Sequence, residues 1–364
     1  MSDSGAGRSI AAISRAANPS ASAGCAAGVK LSTAASFPWL IKGGSFHSLT
    51  LQSLELGRVI GTGLMGTVRV AKMIGRSQYM AIKSVRKDTI HKRNDHRHVK
   101  NEKELLLQLR SPFCIRLFTT FQGATQIHFA MELAVGGELF RRLNKKASFP
   151  PEVTKFYVCE IFSAIAHVQS LGYVYRDLKP ENVMLDEEGH CKLVDFGFSI
   201  QPNNNGIVKT LCGTPAYLSP EQLDGKFTNG YSKTVDWWAL GILLYELMTG
   251  LTPYCKAASD THYQIYLRIL KNRISFPRSF DSASRDLVQR LCHADVEQRL
   301  SAPQEIEEHV YFTIPFELVN ARKLVPPFVP RIKDESDRDH YFNTYQEPRE
   351  PDLAGGNFSN IEGF

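Results

Sequence analysis

From residue 54 to 131 apolar and polar positions alternate with the period of two that half-buried strands show, as in VRVAK (68–72) and MAIK (80–83). One segment breaks the alternation. Val99, Glu102, Leu106 and Leu109 fall on one face at helical spacing and predict a single helix near 93–109. From 138 to 310 helical periodicity takes over, interrupted by strand-like runs at 182–186 and 190–194. The stretch WWALGILLYELMTG (237–250) is apolar on every side, which requires a helix buried all round. A β-rich part followed by an α-rich part predicts an α+β, two-lobed chain. Residues 1–36, rich in Ala, Ser and Gly, read as a flexible extension, and the last fifty residues carry the turn PPFVPRI (326–332) and few regular signals.

Bulk properties narrow the class. With 364 residues, 43% of them hydrophobic and 22% charged, the chain suits one large domain or two small lobes. No apolar run reaches the roughly 18 residues of a membrane span, and ALGILLYELM (239–248) is interrupted by Glu246, so no transmembrane segment is expected. Seven cysteines are scattered without a CxxC pair, which argues against a disulfide framework or zinc site and for reduced thiols in a cytoplasmic protein. A net charge of +6 is mild. The basic run RKDTIHKRNDHRHVK (86–100) lacks the interleaved aromatics of a single-strand binder, so no nucleic-acid partner is expected.

The chemistry lies in an ordered set of short motifs. GTGLMG (61–66) is followed by alternating Val68 and Val70 and so opens a strand, where a dinucleotide fold would open a helix. A β-hairpin whose glycines let backbone N–H groups approach phosphates fits that context. Lys83 sits in an apolar strand, and Glu102 lies on the core-facing stripe of the helix. Glu102 is either the partner of Lys83 or a solvated member of a charged helix. In VYRDLKPENVML (174–185), Asp177 is a carboxylate able to orient a hydroxyl and receive its proton, and Lys179 a cation for the group in transfer. Asn182, with Asp195 of DFG (195–197), offers hard oxygens to a divalent metal. Together these fill every role of a phosphoryl-transfer site. Glu246, a charge inside an apolar helix, needs a partner, and an incoming guanidinium would serve.

The series of Gly-rich loop, AIK, helix Glu, YRDLKPEN, DFG, SPE and a distant Arg resembles the eukaryotic protein kinases over about residues 54–312. Tyr175 in the catalytic loop, TLCGTPAYLSPE (210–221) and the C-terminal segment make it similar to the AGC group, and within that group to the cAMP-dependent protein kinase catalytic subunits. The resemblance implies a linker or helix at 37–54, a kinase domain at 55–312 (small lobe 55–131, large lobe 132–312) and an AGC tail at 313–364. It implies ATP and Mg2+ as cofactors. Gly61, Thr62, Gly63, Leu64, Met65, Gly66 and Thr67 would cover the phosphates, which Lys83 would contact while paired to Glu102. Val68, Ala81 and Leu185 would sandwich adenine, with Met131 as gatekeeper, Glu132 and Ala134 in the hinge, and Phe342 of the tail nearby. Asp177 would be the catalytic base beside Lys179, and Asn182 and Asp195 would bind Mg2+.

The same resemblance implies protein substrates with basic residues ahead of Ser or Thr, met by Glu138, Glu181 and Glu246; Glu138 also sits beside the nucleotide. Leu211, Pro215 and Leu218 would shape an apolar pocket for the residue after the acceptor. Thr210 stands at the activating phosphothreonine, with Arg176 and His98 as its cations, while Ile200 occupies a position where the family often supplies Lys. An upstream activating kinase and a regulatory subunit of the cyclic-nucleotide-binding type are the implied partners, although Lys209, Leu251 and Cys255 depart from residues used in docking. Glu221 would pair with Arg299, and Asp236 would cap backbone N–H groups of the catalytic loop. Phe364 would fill a small-lobe pocket, together with Ile361 or, in a shifted register, Phe358. An inactive scaffold of this family would lack one of Lys83, Asp177, Asn182 or Asp195, and all four are present.

Overall fold

A computed structural model describes residues 49–63, 66–76, 78–223, 230–257, 259–278, 280–332, 341–342, 345 and 358–364. The extension at 1–36, most of the 37–54 linker, and Leu64 and Met65 of the glycine-rich loop lie outside the described residues. Where the sequence alternates, strands form: β1 (Leu54–Thr62), β2 (Gly66–Met73), β3 (Tyr79–Arg86), β4 (Leu117–Gln122) and β5 (Gln126–Met131). They pair antiparallel in the order β1-β2-β3-β5-β4. The β1–β2 hairpin carries the glycine-rich loop, with Gly61 opposite Val68. Gly66 is obligatory there, because a Cβ would fall 1.8 Å from the Ser84 carbonyl oxygen.

The helix expected near 93–109 is α2 (His96–Gln108), and a short helix that was not expected, α1 (Lys87–Arg93), precedes it. Asn94 ends α1 at φ 56°, a left-handed conformation that Asn tolerates and that stops a helix. The buried face of α2 consists of Val99, Glu102, Leu105 and Leu106.

The second half begins with β6 (Gly137–Glu138), α3 (Leu139–Lys146) and α4 (Pro151–Ser170). Strands β7 (Val183–Leu185) and β8 (Cys191–Leu193) then join β6 in a small antiparallel sheet. Beyond lie α5 (Pro220–Leu223), α6 (Thr234–Thr249), α7 (His262–Lys271) and α8 (Ser282–Leu291). Helix α6 is buried on all sides, with Trp237 and Trp238 fully enclosed. No helix among the described residues is long and apolar enough to cross a membrane.

The chain's end returns to the sheet. Ile361 is buried and Phe364 packs edge-on to Phe129 at 5.6 Å, whereas Phe358 stacks on His91. The pair that enters the core is therefore Ile361 with Phe364. Gln122 fixes this register by donating to the carbonyls of Ile361 (3.1 Å) and Phe364 (2.8 Å). Earlier in the tail the chain crosses the β7–β8 turn, where Gly189 at φ 93° leaves room that a Cβ would fill, 1.8 Å from the Phe328 carbonyl oxygen. Arg142 lies over the Phe328 ring.

Arg299 forms the forked ion pair expected with Glu221, at 2.5 and 2.8 Å, and also stacks over Trp238. Its side chain is 0% exposed. Glu221→Ala would strand that guanidinium in the core at a cost of about 3–5 kcal/mol. Thermal unfolding of the variant should show a midpoint several degrees lower; an unchanged midpoint would contradict the assignment.

Candidate active site

The loop between α4 and β7 is shaped from beneath. Asp236, in the first turn of α6 and buried, accepts the backbone N–H groups of Tyr175 (3.0 Å) and Arg176 (2.8 Å) and the Gln169 side-chain amide (3.0 Å). This holds Arg176 at φ 73°, a conformation that a bulky residue adopts only when its surroundings impose it. Tyr175 locks the next segment: its hydroxyl donates to the Val194 carbonyl (2.6 Å) and its ring meets Phe196 edge-on.

From this turn Asp177 projects into a cluster of donors. Asn182 Nδ2 donates to its carbonyl and its Oδ2, both at 2.8 Å. Lys179 Nζ lies 3.0 Å from Oδ2, and the Thr214 hydroxyl donates to Oδ1 at 2.9 Å while accepting from Lys179 at 3.0 Å. The carboxylate is thereby fixed in orientation and flanked by one cation. Opposite stands a second group drawn from three elements. Lys83 of β3 contacts Glu102 of α2 at 2.6 Å and Asp195, just after β8, at 3.0 Å. Glu102 is thus the partner of Lys83 and not a solvated helix residue. Burial disfavours the Lys83 charge, but Asp195 and Glu102 outweigh it and hold the ammonium well above its ordinary range. The Lys83 ammonium in turn holds the Asp195 carboxyl low. The Asp195 side chain is 53% exposed, so this anion is open to solvent on one side.

Among the described residues no cluster of three or more His, Cys, Asp or Glu could hold a metal by itself. Asn182 spends its amide nitrogen on Asp177, which directs its oxygen away from that carboxylate, and Asp195 is an open carboxylate. One neutral and one anionic oxygen suit a hard divalent cation whose remaining ligands come from a substrate and water.

The residues expected around adenine are gathered with one correction. Ala81 is buried with Val70, Tyr79, Leu133, Val135 and Phe342, and Val68 packs against them. Met131, Glu132 and Ala134 follow at the end of β5, where Glu132 is held by Lys192 at 2.9 Å. Leu185, expected in that wall, instead lies fully buried in the main core. The β7 side chain that joins Val68 and Ala81 is Met184. A shift of one residue along a strand moves a side chain to the opposite face, and the expectation was displaced by one.

Three expected substrate carboxylates fall at different places. Glu138 ends β6 and caps α3 opposite Met184. Glu181 lies in the short turn Pro180–Asn182, and burial raises its carboxyl. Glu246 is buried in α6, accepts the Tyr217 hydroxyl and is pushed by burial up to about 7. Of the apolar trio, Leu211 is exposed and Pro215 half-buried, while Leu218 turns inward to line a small cavity below the loop with Leu178 and Tyr217. Thr210 is exposed, with its hydroxyl 2.7 Å from Arg176 Nη1. His98 is hydrogen bonded to Asp95 at 3.1 Å. Asp95 stands at the N-cap of α2, three positions before it.

Thr214, Tyr217 and Met184 were not singled out by sequence reasoning. Met184 was recoverable from strand alternation. Thr214 and Tyr217 act across 37 and 29 residues of chain, and no local pattern marks them.

Comparison with known proteins supplies the context. A family model described as "Protein kinase domain" matches residues 54–312. The chain is 39% identical over 303 residues to mouse (Mus musculus) cAMP-dependent protein kinase catalytic subunit PRKX, covering 82% of this chain and 83% of that protein. It is 37% identical over 315 residues to a Caenorhabditis elegans protein named cAMP-dependent protein kinase, catalytic subunit-like, covering 85% and 76%. With Saccharomyces cerevisiae cAMP-dependent protein kinase type 3 it shares 34% over 303 residues, covering 82% and 74%.

A carboxyl buried beside a phenol titrates late. Carbon-13 detection of Glu246 should give a midpoint of about 7, and Tyr217→Phe, which removes a donor to the ionised form, should move it higher. A midpoint at the ordinary glutamate value in both proteins would contradict the burial described.

Proposed function

The chain belongs to the protein kinase family and is an ATP-dependent serine/threonine protein kinase, and from that premise we propose how its residues divide the reaction. The reading rests above all on one observation: Asp177 is held by Asn182, Lys179 and Thr214 within 3.0 Å, while Lys83, Glu102 and Asp195 form a second ion group. Asp177 orients the acceptor hydroxyl and takes its proton. Lys179, already next to that carboxylate, places positive charge where the transferring group becomes most anionic. Lys83, kept charged by two carboxylates, binds the phosphates of ATP beneath the Gly61–Gly66 hairpin. Asn182 and Asp195 would hold Mg2+, which would neutralise phosphate charge. Val68, Ala81, Met184 and Phe342 enclose the adenine, a set that replaces Leu185 by its neighbour.

The preferred substrate is a protein segment with arginines two and three residues ahead of Ser or Thr. Glu246 and Glu181 support it: both are carboxyls that burial makes costly to ionise alone, so a guanidinium entering between them gains a charge-assisted, bidentate contact. The protonated Glu246 present below about pH 7 lacks that charge. Recognition of Arg peptides should therefore strengthen as pH rises through neutrality. Thr210 is the regulatory phosphate acceptor, served by Arg176, and an upstream kinase supplies the phosphate. The names of the relatives tie those proteins to cAMP, and we extend to this chain a regulatory subunit of the cyclic-nucleotide-binding type. The departures at Lys209, Leu251 and Cys255 would weaken that docking.

The direct test is Asp177→Asn, assayed with ATP on a peptide carrying both arginines and on one with alanines in their place. The variant should lose on the order of 10²–10⁴ in kcat on the Arg peptide, the usual contribution of a positioned base. The wild type should strongly favour the Arg peptide. Undiminished turnover by the variant would overturn the role of Asp177, and equal rates on the two peptides would overturn the substrate assignment.

A further inference from the structure

Between Asp195 and Glu221 the chain forms no helix or ladder longer than four residues, yet it is held at two paired positions. Ile200 and Val174 exchange backbone hydrogen bonds at 2.9 and 3.1 Å, and Val208 and Tyr231 do so at 2.8 and 2.9 Å. Val174, Val208, Tyr231 and Val235 form a buried apolar cluster of their own, with Ile200 packed against it. The approach of Val208 to Tyr231 is close: at Gly230, φ 72°, a Cβ would lie 2.5 Å from the Val208 carbonyl oxygen. The segment is thus fastened to the large lobe by packing that involves no charge.

At the edge of this cluster the Tyr231 phenol reaches the polar site. Its hydroxyl donates to the Thr210 carbonyl at 2.5 Å and accepts from Arg176 Nη1 at 2.9 Å. The same Nη1 lies 2.7 Å from the Thr210 hydroxyl, and Arg176 Nε donates to the Phe198 carbonyl at 2.7 Å. Arg176 and the Thr210 backbone are therefore joined by a side chain that does not depend on what the Thr210 oxygen carries. Burial holds the phenol above its ordinary pKa, so it stays a donor at neutral pH. Among the described residues, Arg176 is the cation hydrogen bonded to Thr210; His98 is bound to Asp95, and Ile200 adds only apolar surface.

We propose that Tyr231 is a positioning residue that latches the Thr210 segment onto Arg176 before any phosphate is added, so that phosphorylation strengthens a docked segment and does not create it. The proposal deepens the regulatory reading given above and rests on Thr210 being the switch of this kinase. Because Arg176 precedes Asp177 directly, the latch holds the catalytic loop through the Arg176 side chain, whereas Asp236 holds it through the backbone N–H groups. It also predicts substantial activity in the unphosphorylated chain.

Tyr231→Phe keeps the ring in its apolar cluster and removes only the hydroxyl. Two measurements on the full chain decide the matter: peptide kcat/KM, and hydrogen exchange of the amides at 208–214. Both are made on phosphatase-treated protein and on protein phosphorylated at Thr210. In the phosphatase-treated form the variant should lose roughly tenfold in kcat/KM, and those amides should exchange roughly tenfold faster, the shift that losing two ordinary hydrogen bonds produces. In the phosphorylated form, where a charge-assisted contact to Arg176 takes over, the loss should be no more than about threefold. Wild-type exchange and activity in the unphosphorylated variant would overturn the latch, as would an equal loss in both forms, which would assign Tyr231 a general packing role. If the wild-type protein phosphorylates no peptide, or if its rate ignores Thr210 phosphorylation, the kinase or switch reading fails, while the exchange comparison still decides the latch.

Discussion

One buried carboxylate organises the catalytic loop. Asp236 stands in a helix with apolar neighbours on every side, where an unpaired charge would cost several kcal/mol. It is retained with three donors around it, two of them the consecutive amides of Tyr175 and Arg176. Taking both amides at once forces the left-handed turn at Arg176, and that turn sends neighbouring side chains to different tasks. Asp177 goes to the reaction centre, and Arg176 goes to Thr210 and Tyr231. The proposed base and the proposed regulatory contact share one strained backbone position.

The second requirement is that the two lobes meet with their charges in register. Lys83 comes from the sheet, Glu102 from a separate helix and Asp195 from the large lobe. The two carboxylates outweigh the cost of burying the Lys83 charge, so the ion group forms only when its three contributing segments are assembled. The exposure of Asp195 leaves one side of the group open to solvent. Electrostatics thereby links the packing of α2, through Glu102 on its buried face, to the position of Lys83.

Much of this was readable in the sequence because the residues break local rules. Glu102 on an apolar stripe, Asp236 beside an apolar helix and Glu246 inside it each demanded a partner, and the structure supplies Lys83, the loop amides and the Tyr217 phenol. The ion pair of Glu221 and Arg299 followed from the family likeness and is present. Other features obey local rules and so left no mark. Thr214 and Tyr231 are ordinary loop residues until tertiary contact brings them to Asp177 and Arg176. The break at Asn94 turns on one backbone angle in a charged segment with few apolar landmarks. Leu185 and Met184 differ only in strand phase, and a three-residue strand is too short for its alternation to be decisive. His98 had an acidic neighbour one turn away that competes for it, a contact that spacing alone allowed but did not rank.

The central claim is that Asp236 imposes the geometry from which Asp177 acts. Asp236→Asn preserves size but offers one acceptor oxygen where two amides must be met and turns an N–H2 toward a donor. The account predicts a fall of roughly a hundredfold or more in kcat, with the KM for ATP little changed and faster hydrogen exchange at the Tyr175 and Arg176 amides. Wild-type turnover with undiminished protection of those two amides would contradict it.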